Sequence, residues 1–144
     1  MTIIDEILKE VSHRPFEIPK GNWKYYQEWN RVLFLHWIVP FEQLKKCVPA
    51  NLDLDTFDGN CYVSLVAFTM EKIRPKYLPS VRYVSDFDEI NVRTYIDNEG
   101  KKGVYFLNIE ASKTMSAFIA KTISGLPYER AKINRTEKSY YSNN

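Results

Sequence analysis

The sequence predicts an α+β fold built on a mostly antiparallel sheet with short flanking helices, and three observations predict it. Two runs of strand length, "RVLFLHWIVP" (31–40) and "CYVSLVAFTM" (61–70), are dense in β-branched and aromatic residues. The stretch 89–111, "EINVRTYIDNEGKKGVYFLNIEA", reads as two further strands around a tight turn. The coarse order along the chain is α, β, α, β, β, β, α, β, without the regular β–α alternation of a parallel sheet.

Taken in order, residues 2–12 place Ile3, Ile4, Ile7, Leu8 and Val11 at helical spacing, and Pro15 ends that helix. "RPFEIPKGNW" is a connection bounded by Pro and Gly, so residues 1–22 form an N-terminal helix and linker ahead of a single domain, 23–144. Pro40 closes the strand 31–40. "FEQLKKCVP" fits two turns of helix ending at Pro49. Asp58-Gly59 is a turn signal leading into strand 61–70. "EKIRPKYLPSVRYVSDF" holds two prolines and reads as a long loop with a short extended piece around Val81–Val84. After the hairpin, Ser112 can cap a helix over 112–125 that aligns Met115, Phe118, Ile119 and Ile123 and stops at Gly125. "ERAKINRTEKSYY" begins one more strand.

Composition narrows the function classes. At 144 residues, with 44% apolar and 26% charged, the chain suits one soluble domain. Aromatics at 15% fill thick cores, line pockets or anchor interfaces. The net charge is +2; residues 111–144 carry six Lys or Arg against two Glu, the pattern of a solubilised terminus, and nucleic acid is not an expected partner. Cys47, Cys61, His13 and His36 have no metal-ligand spacing, so neither a metal nor another cofactor is expected. No glycine-rich strand-to-helix turn marks a nucleotide site. The N-terminus has no apolar run long enough for a signal peptide or a span, and a cytoplasmic protein without a membrane partner is expected.

The chemistry concentrates in the hairpin. Alternation puts Glu89, Asn91, Arg93 and Tyr95 on one face, and Asn108 and Glu110 on one face of the return strand with Phe106. If Asn91 pairs with Asn108 or Glu110, all five polar groups meet on one side, opposite Ile90, Val92, Thr94, Ile96, Tyr105, Leu107 and Ile109. Two readings follow: a solvated face with surface ion pairs, or an inward set in which Arg93 grips a carboxylate. His36 interrupts an apolar strand, and a neutral histidine hydrogen-bonded within a core is the plainer reading beside that of a catalytic base. Cys61 reads as a small buried hydrophobe.

"FLHWIVPFEQLKKCVPANLDLDTFDGNCYVSLVAFTMEKIRP", "LPSVRYVSDFDEINVRTYI", "GVYFLNIEAS" and "GLPYERAKI" together resemble the YqjF-like family of bacterial proteins, placed with the acetoacetate-decarboxylase-like barrel superfamily. The resemblance covers about residues 23–134 and rests on His36-Trp37, Leu52 to Gly59, Glu89-x-Asn91-x-Arg93-Thr94-Tyr95 and Leu126-Pro127-Tyr128. It implies a mostly antiparallel β-barrel around a ligand-sized lumen, and so favours the inward reading of the hairpin. It also implies further strands after "GLPYERAKI". The expected barrel is therefore incomplete, with an open sheet edge that a homodimer would cover. Acetoacetate decarboxylases form a Schiff base through a Gly-x-Pro-Lys-Lys stretch; where "GLPYER" aligns with it, Tyr128 and Glu129 replace the lysines, and that decarboxylation is not expected.

The leading expectation is a small-molecule-binding protein. Arg93 would hold an anionic or carbonyl ligand, Glu89, Asn91, Asn108 and Glu110 would orient it, and Tyr95, Phe106, His36 and Tyr128 would shape the pocket. One alternative is an enzyme in which Glu89, Glu110 or Tyr128 carries a proton for a small organic acid or ketone, Glu89 and Glu110 acting as a coupled pair. Another is an interaction module or remnant without a pocket.

Overall fold

The computed structural model of the chain describes residues 2–14, 16–112, 125–136 and 139–143. Its elements run α1 (Ile3–Lys9), β1 (Tyr25–Val39), α2 (Phe41–Lys45), β2 (Asp53–Leu54), β3 (Cys61–Pro75), α3 (Arg82–Ser85), β4 (Phe87–Asn98), β5 (Lys101–Ala111), β6 (Tyr128–Arg130), β7 (Lys132–Thr136) and β8 (Ser139–Asn143). The main sheet has the order β1-β3-β4-β5-β6, and β2 pairs with β4 beyond the end of β3. All its pairings are antiparallel except β5 with β6; β7 and β8 form a separate hairpin. The sheet is not closed among the described residues, so the architecture is the α+β, mostly antiparallel, incomplete barrel that the sequence predicts.

Several elements depart from expectation. The first strand begins at Tyr25, because the polar residues before Val32 pair with the far end of β3, past irregularities at Tyr26/Glu28 and Asn30/Leu33. That same pairing carries β3 to Pro75, into the stretch read as loop. Val81–Val84 is not extended: the N–H groups of Val84 and Ser85 both donate to the Val81 carbonyl at 2.8 Å, closing one helical turn as α3. The expected helix over 112–125 lies almost wholly outside the described residues. The single strand expected at the end is instead three short ones.

α1 has the capping box of Thr2 and Asp5, each side chain accepting from the other's backbone N–H. Its apolar stripe of Ile3, Ile7 and Leu8 stays exposed. Asp58-Gly59 makes the expected turn, with positive φ at both residues and two backbone hydrogen bonds between Phe57 and Asn60.

The core lies on both faces of the sheet. On one, Val66, Phe68, Met70, Phe87 and Ala111 pack together, and Trp29 stacks on Phe68 with ring centroids 4.2 Å apart. On the other, Leu44 and Val48 of the α2 region cover Leu54 and Cys61, with Val63, Ile96, Tyr105 and Leu107 alongside. Cys61 is the buried hydrophobe expected.

The β4–β5 register corrects the central expectation about the hairpin. Glu99 and Gly100, both at positive φ, form its two-residue turn. From Asn98–Lys101 to Arg93–Phe106 the pairing is regular. A bulge then intervenes, and Val92 pairs with Asn108, Asn91 with Ile109, Ile90 with Glu110 and Glu89 with Ala111. Leu107 is the extra residue, and it joins Tyr105 in the α2-side core. Asn108 and Glu110 therefore face the opposite side from Glu89 and Asn91, and the five polar groups do not meet. Deleting Leu107 should carry Asn108 and Glu110 onto the buried face with Glu89 and push Ile109 and Ala111 off it. Urea denaturation should then show a loss of roughly 3 kcal/mol or more, the scale of an uncompensated buried charge.

Candidate functional site

Two rows of side chains cross the sheet on the Glu89 face. Strand registers place Phe34, Val66, Asn91, Ile109 and Tyr128 in one, and His36, Ser64, Arg93 and Phe106 in the next. Glu89 and Tyr95 flank them on β4. Glu89 is 2% exposed and Asn91 0%, so these two side chains are shut away from water, while Arg93 and Tyr95 beyond them are half-buried.

The hydrogen bonds centre on Glu89. Asn91 Nδ2 donates to Glu89 Oε1 at 3.0 Å, and the Tyr128 hydroxyl donates to Glu89 Oε2 at 3.1 Å. Burial raises the Glu89 pKa to about 7, only partly offset by these two bonds and by the charge of Arg93. Burial likewise pushes the Tyr128 hydroxyl well above its ordinary range, helped by the neighbouring Glu89 charge and hydrogen bond. At neutral pH Glu89 is thus poised between its protonated and ionised forms.

Further along the row, Tyr95 and Ser64 hydroxyls share a hydrogen bond of 2.7 Å. The Arg93 guanidinium lies over the Phe34 ring, 5.5 Å from its centroid. His36 is exposed, its ring 6.2 Å from Phe34 and 6.1 Å from Tyr95, so the expected core histidine is corrected: β1 is the sheet's edge, and it leaves the ring uncovered. Two buried atoms in this site have no hydrogen-bond partner among the described residues, Asn91 Oδ1 and Arg93 Nε. Orphaned polar atoms inside a protein are uncommon and call for an account.

The structure therefore brings together Glu89, Asn91, Arg93, Tyr95, Phe106, His36 and Tyr128. Asn108 and Glu110 are on the other face, where Asn108 Nδ2 donates to Glu110 Oε1 at 3.3 Å. There they line an open groove of about 410 Å³ with Leu33, Leu35, Leu65, Ala67, Ile90 and Val92. Glu89 and Glu110 are accordingly not a coupled acid pair. Sequence reasoning missed Ser64 and Phe34, each embedded in an apolar strand; their signal was the shared face with His36. Among the described residues, no group of three or more His, Cys, Asp or Glu side chains is placed to hold a metal, and no helix is long and apolar enough to cross a membrane.

The sheet, its strand order and this mixed polar and aromatic face define an acetoacetate-decarboxylase-like fold. The acetoacetate decarboxylase of Legionella pneumophila superposes with a TM-score of 0.59 over 91% of this chain and 51% of its own, at 17% identity. The enduracididine biosynthesis enzyme MppR, bound to the condensation product of pyruvate and imidazole 4-carboxaldehyde, does so with a TM-score of 0.59 over 85% of this chain and 44% of its own, at 10% identity. Within that class, the chain belongs to the DUF2071 family, described as uncharacterized conserved protein (COG2071), whose pattern matches residues 26–144. It is 38% identical over 120 residues to the uncharacterized protein YqjF of Bacillus subtilis, covering 83% of this chain and 50% of that one. The chain thus spans about half the length of this relative.

Replacing Glu89 with Gln tests the buried carboxyl. Its folded pKa lies above the unfolded value, so stability falls as pH rises from about 4.5 to about 7 and is level above that. Glu89→Gln removes that penalty, on the order of 3 kcal/mol at full ionisation. The variant should melt above the parent at pH 8 and at the same temperature at pH 4.5, measured by calorimetry across that range.

Proposed function

We propose that this chain binds a small organic acid carrying a carboxylate and a neighbouring carbonyl or hydroxyl, on the face formed by Glu89, Asn91 and Arg93. The observation that carries the reading is the pair of buried atoms without a hydrogen-bond partner among the described residues, Asn91 Oδ1 and Arg93 Nε, two residues apart on one face of β4. A 2-hydroxy acid, whose carboxylate accepts from Arg93 and whose hydroxyl donates to Asn91 Oδ1, satisfies both at once, and a 2-oxo acid satisfies Arg93 alone. An arginine presents its N–H edge to a carboxylate as a fork, and such charge-assisted bonds are the stronger kind. The structural neighbour MppR holds a pyruvate-derived ligand, a molecule of this chemical class. Phe34 and Phe106 supply apolar walls beside the charged group.

A second reading is favoured by one specific feature, the pKa of about 7 at Glu89. A carboxyl titrating there can take a proton from the carbon beside a ketone and return it, which is enolisation by acid–base catalysis. Tyr128, hydrogen-bonded to the same carboxyl, would hold it in place. The lysine-based Schiff-base route has no amine at the corresponding positions, Tyr128 and Glu129.

Binding is measured by calorimetric titration with pyruvate and a panel of 2-oxo and 2-hydroxy acids. Arg93→Ala should weaken it about tenfold or more, the scale of a lost charge-assisted hydrogen bond, and Arg93→Lys should restore only part. Unchanged affinity in a folded Arg93→Ala protein would remove Arg93 from the site. The enolisation reading is checked by following deuterium uptake at the ketone's neighbouring carbon in heavy water. Exchange at the uncatalysed rate for every acid that binds would leave a binding protein alone.

A further inference from the structure

We propose that β1 pairs, edge to edge and antiparallel, with β1 of a second copy of this chain. Strand order leaves β1 with one partner, β3, among the described residues. Among the described residues no strand pairs with its outer edge along Val32–Val39, just past Arg31, whose carbonyl accepts from Arg135 Nη2 at 3.3 Å. From Leu33 to Val39 the pairing with β3 is regular, so that part of the strand is straight enough to template another.

Edge strands that must stay alone carry charges, prolines or bulges that block pairing. Val32–Val39, "VLFLHWIV", has no Lys, Arg, Asp or Glu, no Pro and no register shift after Leu33. Its side chains are exposed on both faces, Ile38 at 62% and Trp37 at 49%, with Leu33, Phe34 and Leu35 close behind. No isolated surface strand gains from such a composition. The edge's chemistry fits a partner that is itself uncharged, apolar on both faces and extended.

A second copy meets that description by symmetry. A two-fold axis perpendicular to the sheet keeps each face on its own side, so Leu33, Leu35 and Trp37 meet their counterparts, as do Phe34, His36 and Ile38. No like charges are brought opposite one another. Leu33 and Leu35 also form the β1 wall of the groove that holds Asn108 and Glu110. The second copy would extend that wall and turn an open groove into a bounded one.

Light scattering behind gel filtration, from low to high micromolar concentration, tests this on the whole chain. The expected mass at the upper end is twice the 17.0 kDa of the chain, falling toward 17.0 kDa on dilution. Leu35→Lys, an exposed position that sets two ammonium groups near the two-fold axis, should hold the mass at 17.0 kDa with an unchanged far-ultraviolet spectrum. Amide hydrogen exchange on the unaltered protein gives a readout independent of that variant. Amides within Val32–Val39 should gain protection of tenfold or more with concentration while the rest of the chain does not. A mass of 17.0 kDa at every concentration overturns the proposal. So does a dimer in which Val32–Val39 exchanges as fast as in the monomer.

Discussion

The pairing of β4 with β5 is the constraint on which the rest depends, and one residue decides it. The Glu99-Gly100 turn, with both residues at positive φ, aligns Asn98 with Lys101 and fixes every pair up to Arg93 and Phe106. Continued without interruption, that register would set Asn91 against Asn108 and bring Glu110 onto the same face as Glu89. Two carboxyls would then share a buried surface, which raises the cost of ionising either. The extra Leu107 shifts the remaining pairs and exchanges them for Ile109 and Ala111, both fully buried. The bulge therefore sorts the polar residues of the hairpin into two separate sites.

Strands with one continuous apolar run were legible in the sequence, and strands stitched from mixed residues were not. Cys61–Met70 announces itself because five consecutive residues of β3, Val66 to Met70, are buried. The first half of β1 does not, because Glu28 and Asn30 suit a loop by composition and belong to a strand only through their partners on β3, Glu71 and Thr69. Arg31 and Lys72, at φ 55° each, mark kinks that no periodicity reveals. Val81–Val84 misleads in the other direction: β-branched residues suggest extension, yet local backbone hydrogen bonds to Val81 win.

The site was half legible for a similar reason. Glu89, Asn91, Arg93 and Tyr95 sit two apart, and any strand places them together. Tyr128 reaches Glu89 across 39 residues only because β6 runs parallel to β5 and sets Tyr128 beside Ile109. Periodicity within a segment carries no information about such a return. The resemblance to a known family supplied Tyr128 as a candidate, while its actual partner came from the register.

Glu89 and Arg93 lie on one face of one strand, close enough for their charges to act on each other. An ionised Glu89 would draw the guanidinium toward itself; its charge is already sensed, since Arg93 lowers the Glu89 pKa against the larger effect of burial. Held near neutrality by that burial, the carboxyl spends part of its time uncharged and competes weakly. The guanidinium carbon lies over the Phe34 ring, 5.5 Å from its centroid, and Nε has no hydrogen-bond partner among the described residues. A cation beside an aromatic ring with Nε unsatisfied is the arrangement that the proposed carboxylate ligand would complete. The energetic cost of burying Glu89 and the availability of Arg93 are thus two consequences of the same placement.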